Sequence, residues 1–388
     1  MNLFDVYPTV PIELVKSTGS YIFDRKGEQY LDFYGGHAVI SIGHSHSHYV
    51  KCIRDQLKRV SFYSNAIHIP QQEKLAELLG TASGYDDYRL FLCNSGSEAV
   101  ENALKLASFH TRKRKVVAFK GAFHGRTSGA VAVTNNSKII TPFNAQHQVV
   151  FIDYQAVDQL EATLQEGDVC AVITEGIQGV SGIIDPGAEF LKQAESLCEK
   201  HQAMFILDEV QSGYGRTGDF FAHQAADINP DLIAVAKGMG NGFPMGGVLI
   251  HPKFKAFHGM LGTTFGGNYL ACVAGIVVLE VMRDEDLVAN ARKIGALLTR
   301  SLQKIPDIQE IRGRGLMLGL LFDFPVKRLR ETLLKEEKVF VGTASNPNIL
   351  RLLPPLNITP DHVQLFICKL TTALERLRYE TENSHSGS

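Results

Sequence analysis

Short runs of almost wholly apolar residues punctuate the middle of the chain: VVAF from Val116, VVFID from Val149, VCAVIT from Val169, MFILDE from Met204, LIAVA from Leu232 and VLI from Val248. Between them lie longer stretches with apolar residues at helical spacing, such as Glu98 to His110 and Phe190 to His201. Strands that are apolar on both faces must be covered on both, so the alternation predicts an α/β fold with a mostly parallel sheet flanked by helices. Earlier, Tyr21 to Phe33 alternates apolar and polar residues about Asp24, Arg25, Lys26 and Gly27, the pattern of a hairpin. From Ala271 a helical pattern runs through Met282, a second from Leu287 to Leu302 and, after short strands, a third from Pro360 to Tyr379. Three parts are expected: an N-terminal segment, 1–54, that joins a small domain because a lone hairpin is marginal in water; a large domain, 55–270; and a small α+β domain, 271–388. The polar tail ENSHSGS is expected to fray.

Composition narrows the classes. With 388 residues, 45% of them hydrophobic and 21% charged, the chain can bury a large core and is no disordered protein. A net charge of -2 gives no field to gather nucleic acid or an anionic membrane, so any basic site must be local. No apolar run approaches the roughly 20 residues of a bilayer span, and MNLFDVYPTVPIELVKS lacks a positive start followed by an apolar stretch, so a cytoplasmic location is expected. The six cysteines (Cys52, Cys93, Cys170, Cys198, Cys272, Cys368) form no CxxC pair and are read as small hydrophobes or reduced thiols, not as a disulfide scaffold.

Two apolar strands run directly into charged groups, MFILDEVQSGYGRTG at Asp208 and DLIAVAKGMGNGFPMGG at Lys237. Open α/β sheets bind ligands at such strand ends. Lys237 lies between AVA and GMG, where little hydrates an ammonium; desolvation lowers its pKa and frees a neutral amine able to form an imine. Alone it could equally be a solvated strand-end lysine, and Asp208 alone could bind ribose, hold a metal or cap a turn. Together they fit pyridoxal 5'-phosphate (PLP), whose pyridine nitrogen needs a carboxylate to stay protonated. Gln211 could then bond the ring's phenolic oxygen, with Glu209 supporting from behind. In FLCNSGSEAVENALKLASFH the turn Asn94 to Ser97 opens a helix, whose free N–H groups, with the Ser95 and Ser97 hydroxyls, can hold a phosphate; the same SxxE also reads as a plain capping box. In FKGAFHGRTSGAVAVT, Phe123 can stack on a planar ring and Arg126 can clamp a carboxylate, beside His124. The bland alternatives are a buried Phe and a surface Arg.

NSGSEAVENA, AFHGRTSGA, ILDEVQSGYGRTG, AKGMGNGFPMGG, TTFGGNYLAC and ILRLLPPLNI follow one another over nearly the whole chain. Together they resemble the class III (ω) aminotransferases of PLP fold type I, most closely the N-acetylornithine (or N-succinylornithine) aminotransferase group. The resemblance implies that Lys237 carries PLP as a Schiff base, that Asp208 faces the pyridine nitrogen, that Gln211 lies near the ring hydroxyl and that Phe123 stacks on the ring. It puts Gly96 and Ser97 in the phosphate cup and has a neighbouring subunit lend Thr264 to the same phosphate, which implies a homodimer with shared sites. By the same resemblance Arg126 receives the carboxylate of the acylated ornithine, and Arg351 the α-carboxylate of glutamate or 2-oxoglutarate. One position departs. Relatives carry EPIQGE, whose last glutamate covers the second arginine, where this chain has EGIQGV; Val180 therefore leaves Arg351 uncovered or with another partner.

The implied reaction is a ping-pong transfer of the δ-amino group of an N-acylated ornithine, acetyl foremost, to 2-oxoglutarate, giving the semialdehyde and glutamate in arginine biosynthesis. N-succinylornithine, free ornithine, 4-aminobutyrate and a PLP aminomutase are the alternatives, because motifs that read the ring do not read the substrate tail. His37 and His68 are candidates for the acyl end by position only. HSHSHY invites a metal at His44, His46 and His48, but no Cys or acid nearby completes a ligand set and no metal is expected. GMGNGF and GRGLMLG lack the rest of a dinucleotide fingerprint.

Overall fold

The computed structural model describes residues 1–386. Its centre is a seven-stranded sheet in the order Arg89–Cys93, Gly246–Ile250, Leu232–Val235, Met204–Asp208, Val169–Glu175, Lys115–Phe119, Val149–Ile152. Only Gly246–Ile250 runs against its neighbours; the other strands share one direction. Each apolar run read from the sequence is one of these strands. Every residue of Val169–Glu175 and Met204–Asp208 is buried, as a strand covered on both sides requires.

The two covers are distinct. On one face Ala99, Val100, Ala103, Leu106 and Ala107 of the helix Gly96–Thr111 pack on Ala118, Ile173, Ile206 and Ala234. On the other, Leu160 and Leu164 of Val157–Gln165 and Phe190, Leu191, Ala194 and Cys198 of Ala188–Lys200 pack on Val117, Val172, Phe205 and Leu207.

Two four-stranded sheets stand apart from this one. The hairpin Tyr21–Asp24 and Gln29–Asp32, flanked by Leu14–Thr18, gains Val339–Phe340 as a parallel partner, with Val339 opposite Leu31. The second comprises Glu310–Arg314, Met317–Leu321, Ile349–Leu352 and Gly342–Thr343, all antiparallel. Only Val341 separates Phe340 from Gly342, so one segment supplies an edge to each sheet. The helices Tyr269–Asp284, Leu287–Leu302, Lys327–Lys335 and Pro360–Ser386 complete this part. Residues 54 and 55 lie inside the helix Ser47–Leu57, which packs on Tyr269–Asp284. Among the described residues no helix is long and apolar enough to cross a membrane, and the six cysteines are free thiols.

Candidate active site

The parallel strands all end at one edge of the sheet, and a cavity of about 310 Å³ opens there. It is lined by Asn94 to Ser97, Phe123 to Gly125, Glu175, Val180, Asp208, Gln211 and Lys237, so five strand ends contribute to it. A larger hollow of about 650 Å³ borders the starts of strands at Val116, Val149 and Cys170 and carries none of these groups.

Asp208 closes its strand with both oxygens engaged: Oδ2 lies 2.7 Å from His124 Nδ1, and Oδ1 accepts from Val210 N at 3.0 Å. His124 and Asp208 are both buried, which fixes the carboxylate's direction. Glu175 stands next to Asp208 in strand register. Its two oxygens accept from Phe123 N (3.0 Å) and Gly179 N (2.9 Å), tying the ring-side turn to the loop that carries Val180. Burial, with the nearby Asp208 charge, pushes the Glu175 carboxyl up to about 7 against the pull of His124 and those two donors. Glu209 points elsewhere, bonding His223 Nδ1 at 2.7 Å and Ser212 Oγ at 2.6 Å behind the strand.

Lys237 opens a short turn after Val235 with φ of 45°, a left-handed conformation that a non-glycine residue adopts only where its surroundings impose it. Its Nζ makes no hydrogen bond among the described residues, and burial lowers its pKa against the opposing charges of Asp208 and Glu175.

The turn at Asn94 serves both of its readings. Ser95 Oγ caps the helix by accepting from Glu98 N (3.2 Å), and Glu98 Oε2 reaches back to Asn94 N (2.5 Å). The cap leaves the N–H groups of Gly96 and Ser97, at the very start of the helix, free to meet an anion. Ser97 Oγ accepts from Arg126 N at 3.1 Å. Gly96 is required: a Cβ there would lie 2.7 Å from Val210 Cγ1.

Arg351 comes from the separate sheet. Its cross-strand neighbours are Gly319 on one side and Gly342 on the other, neither of which has a side chain to crowd the guanidinium. Although buried, it meets no carboxylate among the described residues; Nε donates to Thr343 O (2.6 Å), Nη2 to Tyr34 Oη (3.2 Å) and Nη1 weakly to Gln211 Oε1 (3.5 Å). Val180 lines the cavity and accepts from Ser345 N at 2.8 Å. The partners that stand in place of a covering glutamate are thus neutral: Gln211 and Tyr34.

Not every expected residue converges. Arg126 is exposed and lies outside the cavity wall, its guanidinium 5.9 Å from the Phe123 ring. Thr264 is exposed on a stretch with Phe265 and lies outside this chain's cavity wall, whereas its neighbour Thr263 accepts from Asn94 Nδ2 at 3.2 Å. His37 approaches Arg351 through Tyr34, but His68 lies outside the cavity wall, on the surface near Glu73. His44, His46 and His48 pair with three different acids, Asp32, Glu285 and Glu280. His124, Glu175 and Tyr34 carry no role in the sequence analysis: Glu175 had the signal of a polar residue ending a buried strand and His124 that of one in a strand-to-helix loop, while Tyr34 had none.

A model of the class III aminotransferases matches residues 5–374. The chain belongs to that family. Acetylornithine aminotransferase of Bacillus subtilis is 39% identical over 379 residues, covering 96% of this chain and 97% of the relative. The ornithine aminotransferase of Toxoplasma gondii superposes with a TM-score of 0.90 at 28% identity, covering 97% of this chain and 93% of that one; another of its structures describes partial PLP occupancy at the active site. Acetylornithine aminotransferase from Elizabethkingia anophelis gives a TM-score of 0.83 at 30% identity, over 96% of both chains. The protein is accordingly a PLP-dependent transaminase of fold type I. Its residues fit that cofactor: an unpartnered amine, a fixed carboxylate, an aromatic wall and a helix start surround one cavity.

Proposed function

We propose that this transaminase moves the δ-amino group of N-acetylornithine to 2-oxoglutarate, yielding the N-acetylated semialdehyde and glutamate within arginine biosynthesis, in the cytoplasm. The observation that carries the reading is the near full-length similarity to acetylornithine aminotransferases at up to 39% identity. Arg351 supports the acceptor half: a buried guanidinium with only neutral partners is a receptor for a carboxylate.

PLP, when bound, supplies a pyridinium electron sink for carbon–nitrogen chemistry. Lys237 would hold it covalently and, once released, take and return a proton at Nζ, its lowered pKa keeping the amine neutral and free to accept one. Asp208, held by His124 and Val210 N, would keep a proton on the ring nitrogen. The Gly96 and Ser97 N–H groups would hold the phosphate, with Ser95 shaping the turn; Phe123 would cover one ring face, and Gln211, which accepts from Arg351, would also serve the ring hydroxyl. Arg126, at the rim, takes the carboxylate of the amine.

We place Thr264 against the partner subunit's phosphate. Exposed Phe62, Tyr63 and Phe265 beside it form an apolar face suited to a homodimer. The deciding experiment compares kcat/KM for N-acetylornithine, N-succinylornithine, ornithine and 4-aminobutyrate with 2-oxoglutarate as acceptor. A higher value for any of the last three would refute the substrate assignment.

A further inference from the structure

Residues 35 to 38 form a left-handed turn, with φ of 55°, 56°, 68° and 65° at Gly35, Gly36, His37 and Ala38. Two of these carry side chains, and such a conformation persists only where its surroundings hold it. Asp32 Oδ1 accepts from Tyr34 N (2.9 Å) and Gly35 N (2.8 Å), and Gln211 Nε2 donates to His37 O at 3.3 Å. The turn thereby fixes Tyr34 between two nitrogen groups: its Oη lies 2.6 Å from His37 Nδ1 and 3.2 Å from Arg351 Nη2. The adjoining strand is cut away for it. A Cβ at Gly342, the residue paired with Arg351, would lie 2.0 Å from Tyr34 Cε2.

Counting donors gives the chain a direction. A guanidinium only donates, so Tyr34 Oη accepts from Arg351. The single Tyr34 proton then goes to His37 Nδ1 whenever that nitrogen is bare. Burial, and the charges of Arg351, Lys237 and Arg330, hold His37 below the usual imidazole range, which favours the neutral ring, and in its Nε2–H tautomer Nδ1 accepts from Tyr34 Oη. If His37 takes up a proton, Nδ1–H donates to Tyr34 Oη instead, and the phenolic proton turns toward whatever sits on Arg351. A carboxylate there is the acceptor such a proton meets, and its charge also offsets the Arg351 charge that opposes protonation of His37.

We propose that Tyr34 is a specificity-determining residue, donating its hydroxyl proton to the keto-acid carboxylate held by Arg351, and that His37 positions that proton by taking one from solvent as the carboxylate binds. This rests on the reading of Arg351 as the acceptor's carboxylate site. The only covalent change is that N–H bond at Nδ1, whose proton comes from water.

Glutarate, a dicarboxylate without a reactive carbonyl, is the probe, titrated calorimetrically into the holoenzyme in buffers of different ionisation enthalpy. Binding to the wild type is expected to take up part of a proton near neutral pH. Tyr34→Phe keeps the ring and is expected to weaken glutarate about tenfold, and to raise the KM for 2-oxoglutarate about tenfold more than the KM for the amine. His37→Gln is expected to remove the His37 share of the proton uptake and to flatten the pH dependence of the glutarate Kd. Unchanged glutarate affinity in Tyr34→Phe, equal rises in both KM values, or wild-type proton uptake in His37→Gln would each overturn the inference alone. No glutarate binding by the wild type would overturn it together with the Arg351 reading, and failure to use N-acetylornithine while glutarate binds as expected would overturn only the amine assignment.

Discussion

Glu175→Gln isolates the energetics of an ionisable group at the head of the site. In the cofactor-free protein burial first, and then the Asp208 charge, raise the carboxyl from its ordinary 4.5 to about 7. A raised folded-state pKa means that the native state binds more protons than the unfolded chain between those values, so stability is complete below about pH 4.5 and falls as pH rises to about 7. At about 1.4 kcal/mol per pH unit the loss is about 3 kcal/mol. Glutamine does not titrate, so the variant escapes that loss. It brings another: one amide oxygen can serve either Phe123 N or Gly179 N, and the amide NH2 faces the other donor. An orphaned buried N–H costs about 1 to 3 kcal/mol at any pH. At about pH 5 the variant is therefore the less stable protein, and by about pH 8 it equals or exceeds the wild type. Equilibrium urea unfolding of both cofactor-free proteins across this range measures the difference, in which other titrating groups cancel. A wild-type-minus-variant difference that stays constant from about pH 5 to about pH 8 would refute the reasoning.

Three further outcomes are expected. Lys237→Ala loses the yellow absorbance of bound cofactor and all turnover, read by spectrophotometry and by glutamate formation; a variant that keeps both removes Lys237 from its role. Asp208→Asn deprives His124 Nδ1 of its anionic partner and the ring nitrogen of its carboxylate, and lowers kcat on the order of a hundredfold in a steady-state assay, with a near-wild-type rate as the contrary result. Val180→Glu puts an anion into the cavity wall that also carries Gln211, the partner of Arg351, and raises the KM for 2-oxoglutarate relative to that for the amine; no change in either KM counts against the idea that Arg351 is left uncovered.

The inner strands of the central sheet, Val169–Glu175, Met204–Asp208 and Leu232–Val235, were legible because each is buried on both faces, which forces a continuous apolar run. Lys237, Asp208 and the Asn94 to Ser97 turn were legible for a related reason: polar groups that interrupt or end such runs stand out against them, and parallel strands deliver their ends to a single edge. Sequence order also brought Phe123 and Gln211 to the same cavity. Tertiary structure alone decided which groups would be partners. His124 reaches Asp208 across 84 residues and Arg351 reaches Tyr34 across 317, separations over which no local periodicity carries information. The sequence motif at position 180 showed only that a glutamate was missing. That two neutral residues, Gln211 and Tyr34, take its place follows from how the turn at residues 35 to 38 folds onto a strand with glycines on both sides of Arg351, a packing fact set by steric space and not by pattern.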